Sequence, residues 1–222
     1  MFKILIFTAW FYTGASWALI GGEAAAFPEV VRLQASGEKV CTGTIIGPRT
    51  IVSAAHCVNA DSPFFIYKGE RYAVRYIASE DQARGHDIAL AVTHKKIKGA
   101  IFARLGQGLK HGVKILMAGF GCTVKGGAPG SLHAGENKVI GLDEDHVLAA
   151  SKSGSVLCEG DSGGPAFVTD GVRRWLVGVS SLSDISKINI NVRLDSRLSH
   201  AFLKTAARLN RLEICGISKD CG

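Results

Sequence analysis

Three short segments carry side chains that can act together as nucleophile, base and orienting acid. The first is Cys158-Glu-Gly-Asp-Ser-Gly-Gly-Pro165, where Ser162 stands between glycines. Glycine on both sides suits a hydroxyl held on a tight turn, where a substrate can approach the backbone closely. The second is Thr50-Ile-Val-Ser-Ala-Ala-His-Cys57, an apolar strand that ends in His56 beside a cysteine. The third is His86-Asp-Ile-Ala-Leu90, which puts the Asp87 carboxylate at the mouth of another apolar strand. Each alone has an ordinary structural explanation. Together they hold what acyl transfer needs: a feeble hydroxyl nucleophile, an imidazole to take its proton, and a carboxylate to hold the imidazole. His86, next to Asp87, is expected to point to solvent and is given no role.

The elements that must position these groups read as short strands. VVRLQAS, TGTIIG, TIVSAAH, FFIYKG, RYAVRYIAS, IALAVT, VKILMAGFG, ENKVIGL, WLVGVSS and INVRL recur with turn residues between them. Such spacing argues an all-β sandwich or barrel and not alternating β/α units. LGQGLKHG, from Leu105 to Gly112, has the glycines of a crossing between two halves. From Ser196 the period changes: Leu198, Phe202, Leu203, Ala206 and Leu209 fall near helical spacing with Arg and Lys between them. Two β lobes followed by one amphipathic helix are expected.

Composition sets the compartment. Met-Phe-Lys precedes the apolar run ILIFTAWFY, and Ser16 and Ala18 supply the small residues read before a signal-peptidase cut. A membrane span needs ~20 apolar residues, about twice this run. Residues 1–18 are therefore expected to be a signal peptide, and 19–222 the secreted domain. The formal net charge is +7, scattered along the chain rather than gathered in one block. No nucleic-acid motif accompanies it, so nucleic acid is not an expected partner. The six cysteines, Cys41, Cys57, Cys122, Cys158, Cys215 and Cys221, suit disulfides in an oxidising compartment. Without a CxxC pair, zinc is not expected, and no cofactor is implied. Six cysteines allow fifteen pairings in principle.

The three chemical segments resemble the trypsin/chymotrypsin-like serine proteases in kind and in the chain order His, Asp, Ser. LIGGEAA is similar to that family's mature start, CTGTIIGPRTIVSAAHC to its His segment, and DIAL to its Asp segment. MAGFG resembles the strand and turn that open its autolysis loop, and LVGVSS its substrate-backbone strand. The resemblance covers essentially the whole chain after residue 18. It implies two six-stranded barrels, about 19–104 and 113–196, with a terminal helix at about 197–211. It also implies Ser162 as nucleophile, His56 as general base and Asp87 as the orienting acid, with the N–H groups of Gly160 and Ser162 as the oxyanion hole.

In the same resemblance a new α-amino group folds inward to pair with the Asp before the nucleophile. Here the pair is Leu19 and Asp161. Residue 18 is Ala rather than a basic residue, and no propeptide fits between the signal and LIGG. Signal peptidase itself is expected to create the active terminus; the alternative is a cut after Ala15 followed by trimming of Ser-Trp-Ala. The substrate pocket is expected from Val156, Leu157, Glu159, Ser181, Ser183 and Asn189. Val156 stands six residues before Ser162, where an acidic residue would be needed to bind Arg or Lys, so cleavage after small or medium apolar residues is expected.

Cys41–Cys57 matches the family's bridge beside the catalytic His. The family pairs Cys158 with a cysteine beyond the substrate-binding strand, but none occurs between 159 and 214 here. Departing from that pattern, Cys122 is expected as its partner because the autolysis loop should lie against the segment before the nucleophile, which leaves Cys215–Cys221 to staple the tail. The short stretch from His56 to Asp87 leaves little room for an acidic calcium loop, so no metal is expected. A protein or peptide substrate and proteinaceous inhibitors are the implied partners of a monomer without a membrane span. Two rival readings share these residues: a catalytically weak or inactive basic binding protein on the same fold, and an esterase.

Overall fold

The structure is a computed structural model that describes residues 19–35, 39–58, 61–79, 85–151, 155–184 and 187–221. The expected signal peptide lies outside the described residues. Six strands close the first barrel: β2 (Val30–Gln34), β3 (Val40–Gly47), β4 (Thr50–Ser53), β5 (Phe64–Tyr67), β6 (Glu70–Ala78) and β7 (Ala89–Thr93), in the order β2-β3-β4-β7-β6-β5. The pleat makes β6 alternate, with Tyr72 and Val74 buried and Arg71, Ala73 and Arg75 exposed. The inward residues fill a core of Leu33, Ile45, Ile51, Phe65 and Tyr72. Phe65 and Tyr72 stack with ring centroids 5.2 Å apart.

The second barrel is built from β9 (Lys114–Gly119), β10 (His133–Leu142), β11 (His146–Ala150), β12 (Pro165–Thr169), β13 (Arg174–Asp184) and β14 (Ile188–Arg193). Every neighbouring pair is antiparallel, and the β9–β10 and β12–β9 pairings close the ring. Two further short strands attach to it. β8 (Arg104–Leu105) runs parallel to β13, which makes the crossing segment part of the second barrel's wall. β1 (Glu23–Ala24) pairs with β10, so the first described residues belong to the second barrel and not, as a boundary at residue 19 implies, to the first. The cause is Leu19, fully buried among Met117, Val139, Leu157 and Val177 of the second core.

Helix α1 (Arg197–Asn210) begins where Ser196 Oγ accepts the Ser199 N–H, and ends at Arg211 in the left-handed region (φ 51°). Leu203, Ala206 and Ala207 pack into a third cluster that draws Val52 and Leu90 from one barrel and Phe167, Val179 and Val192 from the other. The helix thus sits on a core common to both barrels, and the cleft between the barrels has fixed walls.

Candidate active site

His56 occupies a single 3-10 turn, Ala55–Cys57, at the end of β4. The Cys41–Cys57 disulfide, with Cα atoms 6.3 Å apart, ties that turn to β3. Asp87 precedes β7 on a turn in which its N–H donates to Gly85 O at 2.9 Å. Its carboxylate takes three hydrogen bonds: from the His56 backbone N–H to Oδ1 at 2.8 Å, from His56 Nδ1 to Oδ2 at 2.7 Å, and from Ser181 Oγ to Oδ2 at 2.6 Å. Burial pushes the Asp87 carboxyl up, but the bonds from His56 and Ser181 outweigh it and hold the pKa at about 2. An ionised carboxylate only accepts, so Nδ1 of neutral His56 carries the proton and Nε2 is left with a lone pair. That lone pair can take a proton from a hydroxyl.

The turn from Cys158 to Pro165 is held by its carbonyls. Glu159 O accepts from Cys122 N at 3.0 Å, and Gly160 O from Thr42 Oγ1 at 2.8 Å. Asp161 O accepts from Gly164 N at 2.9 Å, and Ser162 O from Thr42 N at 2.8 Å. In a planar trans peptide the N–H points opposite to the C=O. Anchoring Glu159 O and Asp161 O therefore turns the N–H groups of Gly160 and Ser162 the other way. Among the described residues neither N–H has a protein acceptor. Gly160 has φ +100°, and a Cβ there would stand 2.9 Å from the Gly121 Cα. Only glycine meets both demands. His56 and Ser162 line one pocket, and among the described residues no hydrogen bond joins them.

Asp161 is fully buried, its carboxyl lying over Gly119 and Gly121. Oδ1 accepts from Gly121 N and Oδ2 from Cys158 N, both at 2.8 Å. Burial raises its pKa to about 7 against the opposing effect of those two N–H groups. Among the described residues no cation faces it. Leu19 packs against Gly135. Since Gly135 pairs with Met117 and Gly119 with His133, the two residues touch ladder positions two steps apart, about 7 Å.

The cavity beside Ser162 has a volume of about 490 Å³. Val156, Leu157, Glu159, Ser181 and Ser183 line it, joined by Ile20, Lys125 and Leu182. Ile20 O receives the Val156 N–H at 3.0 Å, a strand-like bridge that brings the chain start to the pocket wall. Asn189 departs from expectation, for it is fully buried and outside the lining. It accepts from Leu157 N at 2.9 Å and donates to Ser155 O and Asn137 Oδ1, each at 3.0 Å. It braces the pocket from behind because a buried amide must satisfy both ends. The other two disulfides are Cys122–Cys158, which joins the autolysis-loop segment to the nucleophile turn, and Cys215–Cys221. Among the described residues no group of three His, Cys, Asp or Glu could hold a metal, and no helix is long and apolar enough to cross a membrane.

His86 corrects a second expectation. It is 1% exposed instead of facing solvent. Its Nδ1 meets Ser79 Oγ at 2.8 Å and its Nε2 meets Ser199 Oγ at 2.9 Å. Ser199 Oγ spends its proton on Arg193 O at 2.5 Å, so toward His86 it accepts. Nε2 therefore carries a proton and donates it to Ser199. With its ring edge-on to Phe202, His86 pins the Asp87 turn to helix α1.

The family model described as Trypsin matches residues 19–196, beginning at the buried Leu19. Trypsin alpha-4 of Lucilia cuprina is 29% identical over 199 residues, covering 73% of this chain and 76% of that one. Among solved structures, neuropsin of mouse brain superposes with a TM-score of 0.69 at 23% identity, over 83% of this chain and 98% of its own. A scabies mite inactivated protease paralogue, S-D1, does so at 0.72 and 17% identity, over 88% and 100%. Two antiparallel six-stranded barrels with a closing helix are the chymotrypsin-like architecture, and the chain belongs to the trypsin family of serine proteases.

Proposed function

We propose that the chain is a secreted endopeptidase that cleaves peptide bonds through an acyl-enzyme formed on Ser162. One observation carries this reading: the Asp87 carboxylate grips both the backbone and the ring of His56, on the same cavity to which the turn of Ser162 contributes. In the proposed reaction His56 Nε2 takes the Ser162 hydroxyl proton as Oγ attacks the substrate carbonyl. The oxyanion forms against the N–H groups of Gly160 and Ser162; losing one such donor typically slows turnover by ~10²–10³. His56 then gives its proton to the leaving amine, and water repeats the sequence to release the acid. Asp87 stays ionised throughout and stabilises the imidazolium.

The Val156 floor and the neighbouring Leu157 support cleavage after Ala, Val or Leu. A cationic side chain would lose its hydration at that floor, where Val156 offers no carboxylate in return; Glu159, which lines the same cavity, is exposed. The test is kcat/KM on matched peptide amides that differ only in the residue before the bond. Ala, Val and Leu should exceed Arg and Lys by at least tenfold; the reverse order would sink the specificity reading. A weak or inactive binding protein is the second reading, favoured by the missing Ser162–His56 hydrogen bond. Apo geometry often lacks that bond and tightens only with substrate. Equal inertness of amides and esters would favour the binding protein, and turnover of esters alone an esterase.

A further inference from the structure

The surface of helix α1 that faces away from the core carries cations in register. Arg197, Lys204 and Arg208 are seven and four residues apart, which puts them within about 40° of one another around the axis. All three are exposed, as is Arg211 at the cap. The row is about 21 Å long at the α-helical rise. Two arginines from the first barrel widen its C-terminal end: Arg49 reaches Arg211 O at 3.4 Å, and Arg75 reaches Asn210 Oδ1 at 3.0 Å. The helix contains no acid. The nearest carboxylates in the chain are paired with other cations, Asp195 with Arg193 at 2.9 Å and Glu213 with Lys219 at 2.6 Å, although Glu213 also lies within electrostatic reach of Arg49. Among the described residues none of the six cations is in an ion pair. Like charges so placed repel one another, and the strain is relieved by an anion that spans them.

We propose that this row is a binding surface for a linear sulfated polysaccharide, apart from the catalytic cleft. The row is straight and its charges repeat, which fits an extended polyanion better than a compact one. Five of its six cations are arginines, whose planar fork takes two oxygens of a sulfate at once. A single-stranded nucleic acid needs rings on which bases stack, but Phe202, the helix's one Phe, Tyr or Trp, packs against the core. A membrane surface needs a broad apolar face beside the charge, and here the flank offers Ala201, Thr205 and the exposed Leu209. Three disulfides place the protein where extracellular polysaccharides are met.

The probe is heparan sulfate, titrated at several salt concentrations against the chain beginning at Leu19. The triple variant Arg197→Gln, Lys204→Gln, Arg208→Gln should bind on the order of tenfold to hundredfold more weakly. Its log–log salt slope should be shallower by about two to three, as three counterion-releasing contacts vanish. Lys110→Gln, Lys114→Gln, Lys138→Gln makes the same charge change on exposed positions elsewhere and should bind as the parent does. Equal weakening of both variants would reduce the effect to net charge and overturn the proposal, as would no binding by the parent. Equally tight binding of duplex DNA or of anionic phospholipid vesicles would overturn the choice of polysaccharide. Labelling of Ser162 by a fluorophosphonate should be the same in all three proteins, so failure here is separable from failure of the protease reading.

Discussion

Retaining one residue ahead of Leu19 should make the stability of the domain fall as pH rises from about 4 to 7. With Ala18 in place the Leu19 nitrogen is an amide and cannot be a cation. Asp161 then stays as the structure has it, buried with two N–H donors and a pKa raised from 3.8 to about 7. Folded protein holds that proton through a range where unfolded protein has released it. The group's contribution is thus fully present below pH ~4 and is lost as pH passes the folded value near 7. Roughly three pKa units at 1.36 kcal/mol each make the loss roughly 4 kcal/mol. If an α-ammonium at Leu19 pairs with Asp161, the chain beginning at Leu19 should show no such fall, and should weaken only above pH ~8 as the amine deprotonates. The assay is urea unfolding followed by circular dichroism, in a Ser162→Ala background that prevents self-cleavage. Adding Asp161→Asn to the Ala18 form isolates the carboxyl from other titrating groups. A flat profile for the Ala18 form, or an unchanged fall in its Asp161→Asn variant, would refute the reasoning.

Other substitutions bear on single contacts. Ser181→Ala removes one of three hydrogen bonds on Asp87; its carboxyl should rise from about 2, and kcat should drop roughly tenfold with KM little changed, as for one charge-assisted bond. Gly160→Ala forces a side chain into a left-handed residue against Gly121, and kcat should fall ~10²–10³-fold in steady-state assays while all three disulfides remain. His86→Phe keeps the ring but removes its hydrogen bonds to the Ser79 and Ser199 hydroxyls; calorimetry should show a loss of ~1–3 kcal/mol, and kcat should fall more than KM rises as the Asp87 turn loosens.

Much of this architecture could be read from the chain because the pattern of each strand is local. β6 shows its two faces in the alternation of Tyr72 and Val74 with Arg71 and Arg75, and α1 shows a capping Ser196 before its apolar period. β12 stayed hidden because it opens with Pro165 directly on the nucleophile turn, and β11 because two of its five residues are alanines of weak strand preference. β1 and β8 have two residues each and are strands only because β10 and β13 pair with them. The same limit separates the visible site residues from the hidden ones. Ser162, His56 and Asp87 announce themselves by their neighbours. His86 is buried by Ser199, 113 residues further on, and nothing around position 86 foretells it. Asn189 faces Ser183 across the β13–β14 ladder, yet whether its amide turns into the pocket or behind it depends on Asn137 and Ser155.

The central claim is that one protein both begins at Leu19 and reacts at Ser162. An intact mass of the protein recovered from the medium of expressing cells, taken after treatment with a fluorophosphonate, reports the two together. The account predicts a chain starting at Leu19 with a single adduct, and no adduct on the Ser162→Ala variant. A chain starting at Leu19 without an adduct would contradict the proposed catalytic assembly and put the binding-protein reading ahead. An active protein with any other terminus would contradict the pairing of Leu19 with Asp161.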